Sequence, residues 1–467
     1  MKQNINRRDF LRRIGFGATV TGLALAGCDS AKNKVTESGN SNSEVPTDKM
    51  TYRINPKTGE KVSILGYGCM RWPMTQNPAG EGEIIDQDAV NSLVDYAIAH
   101  GINYFDTAPP YVRGMSEEAT GIALSRHPRD SYFLATKMSN HHLARTGLKG
   151  KGLYDASVAM YRNSLEKLKT DYLDYYLLHN LGGETGLPFL MQRFFDSGVL
   201  DFLIKEREAG HIRNLGFSYH GDVKVFDYML SLHDEIHWDF VQIQLNYVDY
   251  RHASGMNFNA EYLYSELEKR NIPAVIMEPL LGGRLASLTD HLNAQFKQRE
   301  PEESIASWAF RFSGSFPGVL TVLSGMTYME HLQDNIRTYS PLRPLSDEEF
   351  DMLEETAVEM ISYPSVPCTA CEYCMPCPYG INIPGIFAHY NKCINEGNIP
   401  ASRQSKNYRE ARRAFLVGYD RSVPKLRQAN HCIGCNQCAP HCPQSIDIPA
   451  QLHRIDHFVE NLKQETL

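Results

Sequence analysis

The chain has 467 residues, too many for one ordinary small domain, which predicts two or three domains or one large barrel with an added module. A hydrophobic content of 42% with 22% charged residues excludes wholesale disorder. The 47 basic and 55 acidic side chains give a net charge of -8, and no run of Lys and Arg stands out beyond the N-terminus, so nucleic acid is not an expected partner. Nine of the 11 cysteines lie between Cys368 and Cys442, which indicates a metal site near the C-terminus.

Residues 1–28 have the layout of an export signal. A basic segment precedes about fifteen apolar residues, fewer than the roughly 20 that a membrane-spanning helix needs. Arg7-Arg8, followed by Asp9-Phe10-Leu11, resembles a twin-arginine signal, which exports folded proteins. Leu25-Ala26-Gly27-Cys28 resembles a bacterial lipobox, whose cysteine becomes the lipid-modified first residue. Together these resemblances imply a periplasm-facing protein that a lipid on Cys28 anchors to the membrane surface.

Residues 29–49 are rich in Ser, Asn, Lys, Glu and Asp. They contain too little apolar surface to fold, so we expect a disordered linker.

From Val62 to Tyr339, short apolar runs alternate with amphipathic stretches. The predicted strands are Ile64–Gly66, Tyr104–Asp106, Phe133–Lys137, Tyr175–His179, Asn214–Ser218, Val241–Leu245, Ala274–Glu278 and Leu320–Ser324. Strands that alternate with helices indicate a parallel sheet, and eight such units over about 280 residues match an α/β fold of the (β/α)8 TIM barrel type. An open doubly wound sheet is the alternative, but no Gly-x-Gly-x-x-Gly motif opens a helix after an early strand.

Polar residues lie at the C-terminal ends of most predicted strands, where barrel enzymes place their catalytic groups. They are Asp106, Lys137, His179, Ser218, Gln242, Asn246 and Ser324. A single polar residue at a strand end usually has a structural role. Their recurrence from strand to strand predicts a shared site.

Three segments carry a family resemblance: Asn103–Tyr111, Ala135–Lys137 and Leu177–His179. In order, spacing and strand position they resemble the aldo-keto reductase family, and the resemblance spans about residues 50–345. It implies a catalytic tetrad of Asp106, Tyr111, Lys137 and His179. It also implies reduction of a small carbonyl compound, or oxidation of an alcohol, by hydride transfer with NAD(P)H.

The implied chemistry needs an acidic tyrosine, because hydride transfer leaves negative charge on the carbonyl oxygen. A free tyrosine has a pKa near 10, and moving it about three units requires about 4 kcal/mol of preferential phenolate stabilisation. We expect the Lys137 ammonium to lower the pKa of Tyr111, since an opposite charge favours the ionised form. Asp106 is expected to hold Lys137 charged and in place, and His179 to orient the carbonyl.

The resemblance also implies which residues bind NAD(P)H. Ser218 and Gln242 match the residues that hold the carboxamide. The other implied contacts are Gly282, Arg284, Ser324, Gly325, Asp334 and Asn335, with Arg284 expected to contact a phosphate. Tyr219, Met277 and Met326-Thr327 differ from the family pattern around the nicotinamide and the 2′-phosphate, so the resemblance does not distinguish NADH from NADPH.

The C-terminal cysteines form two similar runs. Cys432-x2-Cys435-x2-Cys438-x3-Cys442-Pro443 is the bacterial ferredoxin ligand run, and Cys368-x2-Cys371-x2-Cys374-x2-Cys377-Pro378 nearly repeats it. Each run is followed by Ile-x-Ile-Pro, which indicates an internal duplication. The runs predict two 4Fe-4S clusters in a small, α-rich, ferredoxin-like domain.

In two-cluster ferredoxins the fourth cysteine of each run ligates the other cluster. By that rule one cluster is held by Cys368, Cys371, Cys374 and Cys442, and the other by Cys432, Cys435, Cys438 and Cys377. Zinc is the main alternative, because paired Cys-x2-Cys motifs also suit a tetrahedral ion. Disulfides are the other alternative for an exported chain, although cysteines so closely spaced pair poorly with their neighbours. Cys393 has no predicted role.

The sequence therefore predicts a signal peptide (1–28), a linker (29–49), an aldo-keto reductase barrel (50–345) and a dicluster 4Fe-4S domain (346–467). The predicted function is an oxidoreductase that couples hydride transfer in the barrel to electron transfer through the clusters and on to an unidentified redox partner. The alternative is a non-catalytic electron-transfer protein whose barrel senses a nucleotide.

Overall fold

The structure is a computed structural model that describes residues 45–183, 186–255 and 257–467. The predicted signal peptide, the lipid site at Cys28 and most of the predicted linker lie outside the described residues. Among the helices of the described ranges, none combines the length and apolar character needed to cross a bilayer. The end of the predicted linker differs from expectation, because Val45 is buried in the core of the barrel domain.

The strands of the described residues run in chain order as β1 Tyr52–Ile54, β2 Lys61–Ser63, β3 Leu65–Gly68, β4 Met74–Gln76, β5 Glu83–Ile85, β6 Tyr104–Asp106, β7 Phe133–Met138, β8 Leu173–Leu181, β9 Ile212–Tyr219, β10 Phe240–Gln244, β11 Ala274–Met277 and β12 Val319–Ser324. Eight of them, β3 and β6 to β12, form a closed parallel barrel. Each overlaps one predicted strand, so the predicted (β/α)8 barrel is confirmed.

The α-helices of the described residues are α1 Gln87–Ala99, α2 Ser116–Leu124, α3 His141–Arg145, α4 Gly150–Leu168, α5 Leu187–Leu190, α6 Val199–Glu208, α7 Val223–Ser231, α8 His233–Ile236, α9 Asp249–His252, α10 Ala260–Lys269, α11 Asp290–Arg299, α12 Ile305–Gly314, α13 Met329–Thr338, α14 Asp347–Ser362, α15 Ile383–Asn395, α16 Tyr408–Ser422 and α17 Ile448–Gln464. Helix α1 illustrates why they form where they do. The Asp86 side chain accepts from the backbone N–H of Ala89 and caps the helix, and the apolar face that follows is buried against the barrel.

Aromatic side chains fill the N-terminal end of the barrel. Tyr104, Tyr175 and Phe240 form a separate buried cluster with Val62 of the β1–β2 hairpin, and the Tyr104 and Tyr175 rings lie 4.9 Å apart. Asn55 of the hairpin donates to the Tyr175 hydroxyl at 2.9 Å. Because this end is packed with side chains, an open cavity can form only at the C-terminal ends of the strands.

Helix α14 belongs to the barrel core, so the expected domain boundary after residue 345 is displaced. Leu353, Ala357 and Met360 are buried in the same apolar core as the barrel. They recur at helical spacing after an N-terminal capping box, and the apolar stripe packs on the barrel. A second apolar core begins at Val366, so the iron–sulfur module starts after α14.

Helices α15, α16 and α17 pack around Phe387, Phe415 and Ile455 to form the iron–sulfur module. The duplicated Ile-x-Ile-Pro sequences start α15 and α17. In each, proline occupies the first helical turn, and a side-chain oxygen caps the helix: Asn382 accepts from Gly385 N–H and Asp447 from Ala450 N–H. The predicted α-rich ferredoxin-like module is thus present.

The module covers the C-terminal end of the barrel. Arg71, which follows β3, donates to the backbone carbonyls of Thr369 and Ala370 at 2.7 and 2.9 Å. Gly282 explains how closely the backbones approach, since a Cβ at this position would lie 2.3 Å from the Cα of Thr369. The cavity at the strand ends is therefore shared between barrel and module.

Candidate active site and iron–sulfur ligands

A cavity of about 680 Å³ lies at the C-terminal ends of the barrel strands. The predicted tetrad lines it, namely Asp106, Tyr111, Lys137 and His179. The iron–sulfur module contributes Thr369, Cys371, Tyr373 and Pro443 to its wall. Four residues that were predicted from different strands and loops thus face one space, together with a predicted cluster ligand.

Asp106 and Lys137 form a buried ion pair at the base of the cavity. Lys137 Nζ lies 2.5 Å from Asp106 Oδ1 and donates to the backbone carbonyl of Thr107 at 2.8 Å. Burial raises the pKa of Asp106 and lowers that of Lys137, while the attraction between their charges and their hydrogen bond oppose both shifts. The pair is neutral overall, whichever residue carries the proton.

Tyr111 lies beside this pair, and the direction of its pKa shift corrects the sequence prediction. Lys137 Nζ lies 4.6 Å from the centroid of the Tyr111 ring and directs its hydrogen bonds to Asp106 and Thr107. Burial raises the pKa of Tyr111 well above its ordinary value, and the charge on Asp106 acts in the same direction. Burial therefore outweighs the expected acidification by Lys137, whose charge is paired with Asp106. The phenol is therefore protonated at neutral pH, the form that can donate a proton.

His179 lies across the cavity from Tyr111, with the two ring centroids 6.1 Å apart. Its Nδ1 is 2.5 Å from the Ser139 hydroxyl oxygen. Burial, followed by the charge on Lys137, lowers the pKa of His179 well below its ordinary value, so the ring is neutral. A proton donated by Ser139 to Nδ1 leaves Nε2 as the N–H donor towards a carbonyl oxygen.

A buried arginine that the sequence analysis did not identify supports the strand end at His179. Arg193 Nη2 donates to the His179 carbonyl at 2.6 Å, Nη1 to the Asn180 carbonyl at 3.1 Å, and Nε to Asn140 Oδ1 at 3.0 Å. These bonds fix the backbone that carries the imidazole. Arg193 lies in the π-helical turn Met191–Phe195 that continues α5, far from any motif, so no local pattern in one sequence marks it.

Most of the predicted nucleotide contacts line the same cavity. They are Ser218, Gln242, Gly282, Ser324, Gly325, Asp334 and Asn335. Asn335 Nδ2 donates to Ser324 Oγ at 3.0 Å, and Asp334 accepts a hydrogen bond from Ser304 at 2.6 Å. The structure thus brings together residues from five separate segments of the barrel.

Gln242 provides the test of whether a nicotinamide fits this site. Its Oε1 is buried and has no hydrogen-bond partner within the described residues, although its side chain lines the cavity. A buried acceptor without a partner is costly unless a ligand supplies the donor. A carboxamide N–H₂ group is such a donor, so the residues present fit a nicotinamide.

Arg284 does not join the other predicted contacts. It does not line the large cavity, and its Nη2 donates to Ser365 Oγ at 2.9 Å, at the start of the iron–sulfur module. It lines a separate small cavity together with Leu288, Met360 and Tyr363 instead. The turn at Gly282 and Gly283, where both glycines have positive φ, directs the following residue away from the cavity. Arg284 therefore links barrel and module.

Glu278, directly after β11, is a cavity residue that the sequence analysis gave no role. Gln444 of the module donates to its carboxylate at 3.4 Å. Burial, followed by the charge on Asp249, raises the pKa of Glu278 to about 7. A carboxyl group that can exchange a proton near neutral pH therefore lies between the barrel and the module.

A smaller cavity of about 300 Å³ adjoins the large one and shares Asn180, His220 and Pro443 with it. His220 Nδ1 is buried without a hydrogen-bond partner in the described part of the chain. Burial lowers the pKa of His220 to about 4, so this ring is neutral at physiological pH.

The cysteines are grouped as the ferredoxin rule predicts. Cys442 of the second run joins three cysteines of the first run, and the four line one small space: Cys368, Cys371, Cys374 and Cys442. Burial and then the charges of Cys432, Cys377 and Cys435 raise the pKa of Cys438 to about 11, so these thiols lie within electrostatic range of Cys438. The structure thus brings together the first predicted ligand set, and the chemistry of its four thiols fits a cluster.

The ten cysteines of the described ranges are free thiols, and within those ranges no three His, Cys, Asp or Glu side chains form a group that could hold a single metal ion. Cys393 is buried in the module core, 3.5 Å from the ring of His389, and belongs to neither ligand set.

Comparison with known proteins agrees with this architecture. Residues 65–358 match the model of the aldo/keto reductase family, and residues 367–446 match the 4Fe-4S dicluster domain. The second match favours iron–sulfur clusters over the zinc alternative. The chain is 27% identical to an uncharacterized oxidoreductase, YqkF of Bacillus subtilis, over 63% of this chain and 92% of the relative. It is 25% identical to L-galactose dehydrogenase of Arabidopsis thaliana over 66% of this chain and 94% of the relative.

Solved structures resemble the barrel. An aldo-keto reductase from Klebsiella pneumoniae in complex with NADPH is 25% identical, with a TM-score of 0.50 over 66% of this chain and 95% of its own. The thermostable aldo-keto reductase Tm1743 has the same TM-score at 23% identity, over 66% and 99% of the two chains. The family match covers more than half of the chain. The chain belongs to the aldo/keto reductase family.

Proposed function

We propose that this oxidoreductase reduces a small carbonyl compound, or oxidises the corresponding alcohol, by hydride transfer in the barrel, and that two 4Fe-4S clusters couple this chemistry to one-electron transfer. The observation that carries the proposal is the shared cavity. Tyr111, the proposed acid, and Cys371, a proposed cluster ligand, line the same space. If the barrel and the electron-carrying module worked independently, a proposed cluster ligand would not need to line the same cavity as the proposed acid.

Tyr111, His179 and the Asp106–Lys137 pair perform the proton chemistry. Tyr111 keeps its phenolic proton until negative charge develops on the substrate oxygen and then donates it. Neutral His179 donates a hydrogen bond to the same oxygen and orients it. The buried ion pair fixes the position of Tyr111 through the contact of Lys137 with its ring.

A nicotinamide, bound by Ser218 and Gln242, supplies the hydride in this proposal. Gly282, Ser324, Gly325, Asp334 and Asn335 are proposed to hold the rest of NAD(P)H along the cavity. Support comes from the unpartnered Gln242 oxygen and from the Klebsiella pneumoniae structure, which contains NADPH.

The two cysteine sets are proposed to hold the clusters, which supply one-electron transfer. Reduction of NAD(P)⁺ to NAD(P)H consumes two electrons and one proton, so one electron from each of two clusters and one proton from solvent would balance one hydride. The reverse reaction would return one electron to each cluster and release the proton.

We also propose that the protein is exported folded and anchored by lipid at Cys28, so that it works at the periplasmic surface. The twin-arginine and lipobox resemblances within residues 1–28 support this. Labelling of cells with a radioactive fatty acid tests it. The full chain should become labelled and fractionate with membranes, and Cys28→Ala should be unlabelled and released.

The proposed reaction is tested with anaerobically purified holoprotein, which is mixed with NADH or NADPH and a panel of aldehydes and ketones. We expect carbonyl-dependent oxidation of the nicotinamide. The alternative function, a non-catalytic electron carrier with a nucleotide-sensing barrel, predicts bleaching of the cluster absorbance by the nicotinamide without turnover of any carbonyl or alcohol.

A further inference from the structure

The second ligand set lies at the surface of the module, whereas the first faces the barrel cavity. Cys371 lines the cavity, but Cys435 is exposed. An electron that leaves the cavity through the first set therefore reaches solvent-facing protein at the second set.

Large apolar side chains are exposed around the second set. Tyr379 follows Cys377 and is 47% exposed, Ile433 follows Cys432 and is 64% exposed, and Leu426 is 81% exposed. We call these three residues with Lys425 and Arg427 the outer rim. Exposed apolar residues in a group, rather than singly, are typical of interaction sites.

Hydrogen bonds hold the outer rim together. Arg427 Nε donates to the Gly380 carbonyl at 3.1 Å, and Asn382 N–H donates to the Arg427 carbonyl at 3.0 Å, so the loop with Leu426 adjoins the segment with Tyr379. The ring of His431 lies 3.1 Å from the Lys425 carbonyl, which connects that loop to the segment with Ile433. The three apolar residues thus belong to one surface around the ligands Cys377, Cys432 and Cys435.

The charge of the outer rim has one sign. Lys425 and Arg427 are exposed, and the segments 375–382 and 424–440, which carry four ligands of the second set, contain no Asp or Glu. The chain as a whole has a net charge of -8, so this local excess of positive charge contrasts with the rest of the molecule. A positive rim around an apolar centre attracts a negatively charged partner and orients it.

We propose that the outer rim is the docking surface for a small acidic one-electron carrier protein, which exchanges electrons with the second cluster. This inference rests on the proposed function, because it requires the clusters to be present. Each encounter transfers one electron: the reduced carrier loses it, the second cluster gains it, and no bond is made or broken.

Stopped-flow reduction of the anaerobic holoprotein by a reduced flavodoxin, an acidic carrier, tests the surface, with cluster absorbance as the readout. Methyl viologen serves as a small reductant that needs no docking, and a reduced basic cytochrome-type carrier of sufficiently low potential serves as the opposite-charge comparison. We expect Lys425→Glu and Leu426→Gln each to lower the second-order rate with flavodoxin by on the order of tenfold at low salt, because rim charges act mainly on association. The wild-type rate should fall as ionic strength rises.

Lys61→Glu and Ile54→Gln are matched controls. Both residues are exposed on the N-terminal hairpin at the opposite end of the barrel, and Ile54 is 55% exposed. The proposed docking surface is overturned if flavodoxin reduces Lys425→Glu and Leu426→Gln as fast as it reduces the wild type. It is also overturned if the basic carrier reduces the protein faster than flavodoxin does at low salt. A protein without iron, or clusters that methyl viologen cannot reduce, would instead overturn the proposed function.

Discussion

Replacing Tyr111 with phenylalanine removes the proposed acid and little else. The ring is only 9% exposed, and its contacts with Lys137 at 4.6 Å and with His179 at 6.1 Å do not involve the hydroxyl. We therefore expect the free energy of unfolding to change by less than about 1 kcal/mol. General acid catalysis contributes about 10²- to 10⁴-fold, or about 3 to 5 kcal/mol, so carbonyl turnover should fall by that factor.

Tyr373 offers a matched control within the same cavity. It is a second phenol that lines the wall, and burial raises its pKa well above the ordinary value, as it does for Tyr111. Tyr373→Phe removes the same hydroxyl from the iron–sulfur side and should leave the turnover within a few-fold of wild type. Steady-state rates with a fixed aldehyde and saturating nicotinamide, together with iron content and thermal unfolding, provide the comparison.

The pH profile gives an independent readout of the same assignment. Because burial raises the pKa of Tyr111, the phenol stays protonated through neutral pH, and the rate of carbonyl reduction should be flat across that range. Alcohol oxidation requires the phenolate and should rise as the pH rises. The assignment of Tyr111 as the acid is refuted if Tyr373→Phe loses as much turnover as Tyr111→Phe does. It is also refuted if Tyr111→Phe keeps wild-type turnover.

Three further predictions concern the ion pair, the ligand sets and a buried histidine. In a double-mutant cycle of Asp106→Asn and Lys137→Met, urea unfolding should give a coupling free energy of about 3 kcal/mol or more, because each single change leaves a buried partner without its counter-charge. If the losses of unfolding free energy in the two single variants simply add, the ion pair is contradicted. The double variant Cys371→Ser, Cys442→Ser should retain about half of the iron, since both residues belong to one set, and loss of all iron would show that each run builds its own cluster. Burial lowers the pKa of His220 to about 4 from about 6.5 in the unfolded chain, so its contribution to stability is present above pH 6.5 and is lost as the pH falls. Between pH 7 and pH 5 the wild type should lose about 2 kcal/mol more unfolding free energy than His220→Gln, and equal losses would contradict the burial of this ring.

The barrel could be predicted from the sequence because its strands are buried on both faces. Their near-continuous apolar runs end at polar residues, and each of the eight predicted strands overlaps an observed one. The cysteine runs and the tetrad segments are also local patterns, so their residues could be named from the sequence. The structure places the tetrad and Cys371 around one cavity. Helix α14 was assigned to the wrong side of the domain boundary because its sequence shows an amphipathic helix but not which neighbour covers its apolar face.

The remaining differences come from contacts between distant segments. No local pattern indicates that Arg284 contacts Ser365 or that Arg193 supports the backbone at His179. The pKa of Tyr111 depends on a balance of burial against charge that only the three-dimensional arrangement of Asp106 and Lys137 determines. The sequence indicated the chemical groups of the site, whereas their electrostatics required the structure.

The shared wall between barrel and module also gives Tyr373 and Glu278 an unusual position. Both line the catalytic cavity, yet both adjoin the first ligand set: the Tyr373 N–H donates to Cys371, and Glu278 accepts from Gln444, two residues after Cys442. In the proposed function, a substrate in the cavity would lie beside groups that adjoin the proposed cluster ligands. The iron–sulfur module thus forms part of the wall of the cavity that holds the predicted tetrad.

Rapid-freeze electron paramagnetic resonance tests most directly whether barrel and module form one redox unit. Oxidised anaerobic holoprotein is mixed with a stoichiometric amount of NADH or NADPH, without any carrier or carbonyl compound, and frozen at intervals. We expect the signal of reduced 4Fe-4S clusters to grow as the nicotinamide is oxidised. Bound nicotinamide that stays reduced beside oxidised clusters would contradict this expectation.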